Sequence, residues 1–380
     1  MSSSIEPGYP AARAVAPRVE SYFAAHRASA RGGVRLAPAP TAAVIEALVD
    51  AGFWASLRRE EGYSPKISLA FLPPDAADHP LRFERPLALE PRPLARLAPA
   101  VERPGVHLGV WDDGGRGLHV WGTTRSLPTL CLVVEVVSPG LLVIKSPRGE
   151  PAKYVNVAVL QGDRVKVLDE RGARTPDCPA VVQSLLGFDS PESWGETVNV
   201  YVQLAVSMRA HGRGGLLLVV PAGTEGWRES IVEPIPYRVS PPYSDLADLM
   251  RLPHDERSRR WWQDALARAI DGVAGLTAVD GAAIMTDDCQ VLAFGAKIAR
   301  RDGSPLVEQV THTEPVEGAE PVTVHPSQLG GTRHLSAAQF AHDQRDSVAL
   351  VASQDGGFTV FKWSPCEQLV HAHRVDALLL

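Results

Sequence analysis

Val279-Asp280-Gly281-Ala282-Ala283-Ile284 and, further along, Gly330-Gly331-Thr332-Arg333-His334 are the two runs from which the fold of this chain is read. The first is an apolar strand interrupted by a carboxylate and a glycine. The second is a glycine turn that delivers a hydroxyl, a guanidinium and an imidazole side by side. Between them lie a second strand, Val291-Leu292-Ala293-Phe294-Gly295-Ala296-Lys297-Ile298, and a polar insert over 299–328, and the Thr-Arg-His run opens a helix. Strands alternating with helices predict an α/β (α+β) fold. The residue types suit phosphate chemistry. Asp280 can hold a divalent cation or take a hydroxyl proton, and Gly281, lacking Cβ, admits a ligand close to the backbone. Arg333 offers a planar fork that matches phosphate oxygens, with Thr332 and His334 as donors beside it. Taken singly, each run also reads as turn chemistry, since Asp-Gly tolerates positive φ and an Arg-His pair after two glycines suits a solvated loop.

In order and setting the two runs resemble the diadenylate cyclase domain of the DisA N-terminal type, whose signatures are Asp-Gly-Ala and Gly-Thr-Arg-His-Arg-Ala-Ala. Asp280, Gly281 and Ala282 match the first signature; Gly331, Thr332, Arg333, His334 and Ala337 match the second, with Ser336 in place of one alanine. The serine-bearing strand of the family has its counterpart in Val348-Ala349-Leu350-Val351-Ala352-Ser353-Gln354-Asp355-Gly356. The resemblance implies a mixed sheet flanked by helices and a reaction that condenses two ATP into a cyclic dinucleotide. It assigns Asp280, Arg333 and His334 to catalysis, Asp280 also to Mg²⁺ or Mn²⁺, and Gly281, Ala282, Gly331, Thr332 and Ser353 to nucleotide binding. It further implies a homo-oligomer, because the family reacts two nucleotides between facing domains. Leu335 stands where the family carries a second arginine, and Gln354-Asp355 replace a pair of glutamates; both departures bear on activity more than on fold.

Toward the N-terminus, Thr41 is a plausible N-cap for a helix over 40–57 with Val44, Ile45, Leu48, Val49 and Phe53 at helical spacing. Its end, Phe53-Trp54-Ala55-Ser56-Leu57-Arg58-Arg59-Glu60-Glu61-Gly62, runs into a strand, Lys66-Ile67-Ser68-Leu69-Ala70-Phe71. This stretch resembles the hallmark of the DACNV region, a probable sensor domain found N-terminal to diadenylate-cyclase-like domains. That resemblance makes Ser56, Arg58, Glu60 and Glu61 ligand-contact candidates, whereas read as a charge run they are a solvated helix end. Ser207-Met208-Arg209-Ala210-His211-Gly212-Arg213-Gly214-Gly215, followed by the apolar run Leu216–Val220 and Pro221, also looks like DACNV. Helix precedes strand there, the wrong order for a P-loop.

Between these stretches, 73–104 is proline-rich and predicts a surface connection with short extended pieces. Paired apolar runs then predict hairpins: 106–111 with 118–122 around Asp112-Asp113-Gly114-Gly115, 131–137 with 140–146, and 155–160 with 164–168. His107 and His119 are read as facing each other across the first hairpin. A helix is predicted over 190–211, and another over 255–275 with Trp262, Leu266, Ile270 and Val273 on one face. His312, on a short strand of the insert, lacks partners at metal-ligand spacing. No internal repeat is evident.

Composition sets the frame. The 380 residues suffice for two domains, and 45% hydrophobic with 22% charged residues is a globular balance. A net charge of −6, from 38 basic and 44 acidic residues, argues against a protein that coats nucleic acid but leaves local anion sites open. Four scattered cysteines, Cys131, Cys178, Cys289 and Cys366, form no Cys-x-x-Cys pair. Together with the lack of a secretion signal and of a membrane-spanning apolar run, they suggest the cytoplasm. The expected organisation is a flexible tail over 1–14, a mixed sensor domain with antiparallel strands over 15–235, a proline-bearing linker over 236–254 and a cyclase-like nucleotide-binding domain over 255–380. Three functions remain open: a cyclase governed by a sensor, a catalytically degenerate sensor that binds ATP or another nucleotide, and a structural interaction module.

Overall fold

The continuously apolar run Leu216–Val220 demands a place inside a sheet with neighbours on both sides, and that requirement governs how the chain divides. The computed structural model describes residues 8–30, 35–103, 105–114, 117–148, 153–169, 200–257 and 259–380. Among these are eight α-helices and two mixed sheets, an α/β fold, in two units: 1–168 with Leu380, and 169–379.

The first unit begins with α1 (Pro10–Ala28) and α2 (Ala42–Ser56). The expected tail is shorter than 1–14, because Pro10 starts the helix with its preset φ, and Ala11 and Ala12 are already buried. Thr41 caps α2, its side chain accepting from the Val44 N–H at 3.4 Å. There follow β1 (Ile67–Phe71), β2 (Leu81–Ala88), α3 (Pro91–Val101), β3 (His107–Trp111), β4 (His119–Thr124), β5 (Val133–Ser138), β6 (Leu141–Arg148), β7 (Lys153–Gln161) and β8 (Arg164–Val167). The stretch read as a surface connection thus holds a strand and a helix. Pro91 supplies an N-terminal helical residue, and Leu94, Ala95, Ala98 and Val101 form the buried stripe that the many prolines obscured. The three predicted hairpins are β3/β4, β5/β6 and β7/β8, in a sheet ordered β2-β4-β3-β1-β5-β6-β7-β8. Only β1/β3 is parallel. In the register His107 pairs with Thr124 and His119 with Trp111, so the two histidines are not cross-strand partners.

The second unit comprises α4 (Val200–Ala210), β9 (Gly215–Val220), β10 (Tyr237–Tyr243), α5 (Asp245–Arg251), α6 (His254–Arg257), α7 (Arg260–Thr277), β11 (Ala282–Thr286), β12 (Val291–Ala296), β13 (Val310–Thr313), β14 (Val322–Val324), α8 (Thr332–Asp343), β15 (Val348–Ala352), β16 (Phe358–Ser364) and β17 (Leu369–Arg374). The strand order is β10-β12-β11-β9-β15-β16-β17-β13-β14. The division at 168/169 replaces the one expected near 235. Central β9 pairs with β11 and β15, so it and α4 belong to this unit. The predicted linker is the edge strand β10 followed by α5, whose Leu246 and Ala247 are buried. Pro241 and Pro242 made that strand look like a linker, and an edge is where a sheet tolerates proline. Cys178 and the predicted helix before Val200 lie outside the described residues. One face of this sheet packs under α4 and α7 through Leu217, Met208, Trp262, Leu266 and Ile270. The other packs under α8 through Leu216, Ala282, Val351, Ala337 and Ala341.

Candidate functional site

In the second unit, the loop before β11, the end of β12, the start of α8 and the end of β15 surround one cavity of about 600 Å³. Asp280 and Gly281 line it from the first loop, and Ala296, Lys297 and Ile298 from the second. Gly330 through His334 and Ser336 contribute from α8, and Val351 through Asp355 from β15. Of the residues singled out in the sequence, Asp280, Gly281, Gly331, Thr332, Arg333, His334 and Ser353 therefore share one enclosure. Ala282 does not; it is fully buried in the core beneath α8.

Local backbone chemistry explains the arrangement. Gly281 has φ of 110°, and a Cβ there would lie 2.6 Å from the Gly295 carbonyl carbon and 2.8 Å from the Ala296 oxygen. No side chain fits, so the backbone of the Asp280 loop presses directly on β12. Gly331 is the N-cap of α8, which places Thr332, Arg333 and His334 in its first turn; the His334 N–H already donates to the Gly331 carbonyl at 3.0 Å. A Cβ on Gly330 would collide with the His334 ring at 2.3 Å, so the double glycine is what lets that imidazole tuck in. His334 is 5% exposed and edge-on to Phe361. Burial lowers its pKa, and the nearby Arg374 and Arg333 cations reinforce this against the opposing pull of Asp355. Arg333 packs at Gly214, where a Cβ would sit 2.8 Å from its Nη1.

Asp280 is an exposed carboxylate whose Oδ2 accepts from Lys297 Nζ at 2.5 Å. That hydrogen bond and the Lys297 charge hold its pKa below the usual carboxylate range, with a smaller contribution from Arg333. The cavity is thus lined by two cations, Lys297 and Arg333, two carboxylates, Asp280 and Asp355, the hydroxyls of Thr332, Ser336 and Ser353, and the His334 imidazole. Sequence reading missed Lys297, because a lysine closing an apolar strand reads as a solvated end. Gln354 donates to the Arg213 carbonyl at 3.4 Å, and Leu335 is 39% exposed on α8.

The resemblance brings Mg²⁺ or Mn²⁺ with it. Among the described residues no group of three or more His, Cys, Asp or Glu side chains could hold a metal. The exposed Asp280 carboxylate fits magnesium in the manner of sites that use one or two carboxylates and complete the shell with substrate phosphates.

In the first unit, Ser56 is engaged structurally. Its Oγ donates to the Phe53 carbonyl at 2.6 Å and accepts from the Gly140 N–H at 3.0 Å. Glu60 and Glu61 are exposed on the turn after α2, and Arg58 is half-buried. None of these four lines the unit's cavity of about 170 Å³, which lies between β1, β3, β5 and the end of α3. Among the described residues no helix is long and apolar enough to cross a membrane.

Residues 34–125 match the family model described as "Probable sensor domain DACNV". The match covers about a quarter of the chain and lies within the first unit; the Ser207–Gly215 stretch that looked similar falls outside it. A comparison with the curated proteins finds no match.

Proposed function

We propose that the second unit binds the phosphates of a nucleotide, ATP in the first instance, as the output half of a signalling protein whose first unit is a sensor. The observation that carries this is the convergence of Asp280, Lys297, Thr332, Arg333 and His334 on one cavity of about 600 Å³, a volume within the range of small-molecule sites. Arg333 and Lys297 would balance phosphate charge, with the guanidinium taking two oxygens at once. Thr332 and the α8 N–H groups would donate to further oxygens. Ser353, just past β15, would contact the nucleoside.

In the cyclase form of this proposal, the 3′-oxygen of one nucleotide bonds to the α-phosphorus of another. The bond from that phosphorus to the β-phosphate bridge breaks, and pyrophosphate leaves. Asp280 accepts the hydroxyl proton, and Arg333 and Thr332 steady the charge on the α-phosphate. A divalent cation bound at Asp280 would add positive charge at the phosphates. Two copies must face each other, since one cavity offers one set of phosphate groups. The rate would come from placement and fixed charge.

A second reading, binding without turnover, is favoured by one observation: the carboxylate that must take the proton is already paired with Lys297. Incubation with ATP and Mn²⁺ followed by chromatography decides between them, a cyclic dinucleotide supporting the first and unchanged ATP the second. Absence of any ATP-dependent rise in melting temperature, with or without metal, would remove both. Lys297→Met separates the roles further: turnover that appears only in this variant marks Lys297 as the block.

A further inference from the structure

The two units repeat one topology. Strands β1 to β7 run in the order β2-β4-β3-β1-β5-β6-β7, and β9 to β12 with β15 to β17 run in the order β10-β12-β11-β9-β15-β16-β17. In each, the first strand is parallel to the third and antiparallel to the next in line, and every other pair in the series is antiparallel. A helix precedes the first strand in each, and helical structure joins the second to the third: α3 in the first unit, and α5, α6 and α7 in the second. The hydrogen-bond register makes the equivalence residue by residue. Leu69 pairs with Leu108 and Val134, as Leu217 pairs with Ala283 and Leu350.

Counted from those anchors, distinctive residues coincide. Pro73 falls on Pro221, and Asp112-Asp113 fall on Asp287-Asp288. Gly114 and Cys289, both at positive φ (87° and 70°), fall together, as do Gly140 and Gly356 (72° and 86°). A left-handed cysteine at the position of a left-handed glycine is hard to explain except by a shared turn.

The same count places Ser68, His107 and Glu135 on Leu216, Ala282 and Val351. In the second unit these three are apolar and covered by α8. In the first unit the described connection between β4 and β5, 125–132, contains no helix, and the same patch of sheet is polar. Ser68 Oγ lies 2.7 Å from His107 Nδ1, and His107 Nε2 lies 2.9 Å from the Tyr154 hydroxyl. Glu135 is paired with Lys145 at 2.7 Å. Ser68, His107 and Glu135 line the cavity of about 170 Å³, at the sheet edge that corresponds to the larger cavity of the second unit.

We propose that this cavity is the sensor's ligand site and that its ligand is a small organic carboxylate. Its volume is that of roughly five or six waters, and it falls below the ~300 Å³ of the smaller common ligand sites, so a nucleotide is excluded. With Glu135 neutralised by Lys145, the charges at the mouth are Lys66 and Arg103 against Glu102, a net positive rim. The walls from Val106, Val136 and Val137 suit a short carbon stem, and the Ser68 hydroxyl suits a polar group at its far end. Buried polar groups offered at an open cavity are how such sites gain specificity. The proposal does not depend on the nucleotide reading of the second unit.

The test is a thermal-shift panel on the full chain with millimolar acetate, lactate, pyruvate, succinate and glutamate, with sulfate, phosphate and putrescine as controls. The expected result is a rise of roughly 2–4 °C with at least one carboxylate and none with the controls. The exposed double variant Lys66→Met/Arg103→Met, which leaves the core intact, should lose the rise. Ser68→Ala should reduce it, and Thr332→Ala in the second unit should leave it unchanged. No rise with any carboxylate, an equal rise with sulfate or putrescine, or a rise that survives the double variant each overturns the proposal.

Discussion

His107 is the residue whose chemistry and burial conflict most directly in the first unit. Burial, reinforced by the Lys145 charge and opposed by Glu135, pushes its pKa from 6.5 down to about 4. The folded state therefore resists protonation, and between those values the unfolded chain binds the extra proton. Stability is full above pH 6.5 and falls as pH drops toward 4, by roughly 2 kcal/mol between pH 7.5 and 5. Urea titrations over this range should show that slope, and His107→Gln should flatten it whatever its effect at neutral pH. Gly281 carries a different constraint, conformational and not ionic. Gly281→Ala forces a Cβ onto the β12 backbone at φ of 110°, and about 2–4 kcal/mol of stability should be lost in denaturant unfolding. Both residues were visible in the sequence, but for different reasons. Asp280-Gly281 announced itself through residue type and position after a strand. The role of His107 could not be read, because its partners Ser68 and Tyr154 are 39 and 47 residues away in the chain.

Among the elements, α8 connects the two halves of the candidate site to the polar insert. Its start delivers Thr332, Arg333 and His334 to the cavity. Its last residue, Asp343, has a fully buried side chain that accepts from the Arg301 N–H at 3.0 Å, from Gln339 Nε2 at 3.0 Å and from the Ser304 hydroxyl. The His342 ring lies 2.9 Å away. These contacts, with the Asp343 carboxylate held below its usual pKa by them against burial, tie the insert to the helix. Asp343→Ala would leave several buried donors without an acceptor, and a loss of about 3–5 kcal/mol is expected. Chemical denaturation at neutral pH measures it; a change under 1 kcal/mol would show that the insert does not lean on this carboxylate. Helices with clear apolar spacing, such as α2 and α7, were legible beforehand. Two proline-bearing elements were not: α3 and the edge strand β10 read as connections because proline is a strong local signal, and only tertiary pairing shows where it is tolerated.

At the scale of the whole molecule, the repeated topology left almost no trace in the sequence. The matching positions differ by 148, 175 and 216 residues in successive strands, because insertions of different length separate them, so no fixed period exists to be found. Apart from Leu69 and Leu217, the identical residues lie in turns, since turns constrain residue identity while buried strand positions accept any apolar side chain of suitable size. Each copy has its own hydrophobic core, one built on α1, α2 and α3 and the other on α4, α7 and α8. Separate cores predict separate responses to ligand. Scanning calorimetry with ATP should raise only the transition that Asp343→Ala lowers, while His107→Gln should reduce the acid sensitivity between pH 7.5 and 5 of the other transition alone; the second unit keeps its own acid sensitivity through His373, whose pKa burial pushes down to about 3. If ATP and acid instead move one indivisible transition together, the units unfold as a single cooperative body. A ligand of the first unit would then act on the larger cavity of the second through shared stability.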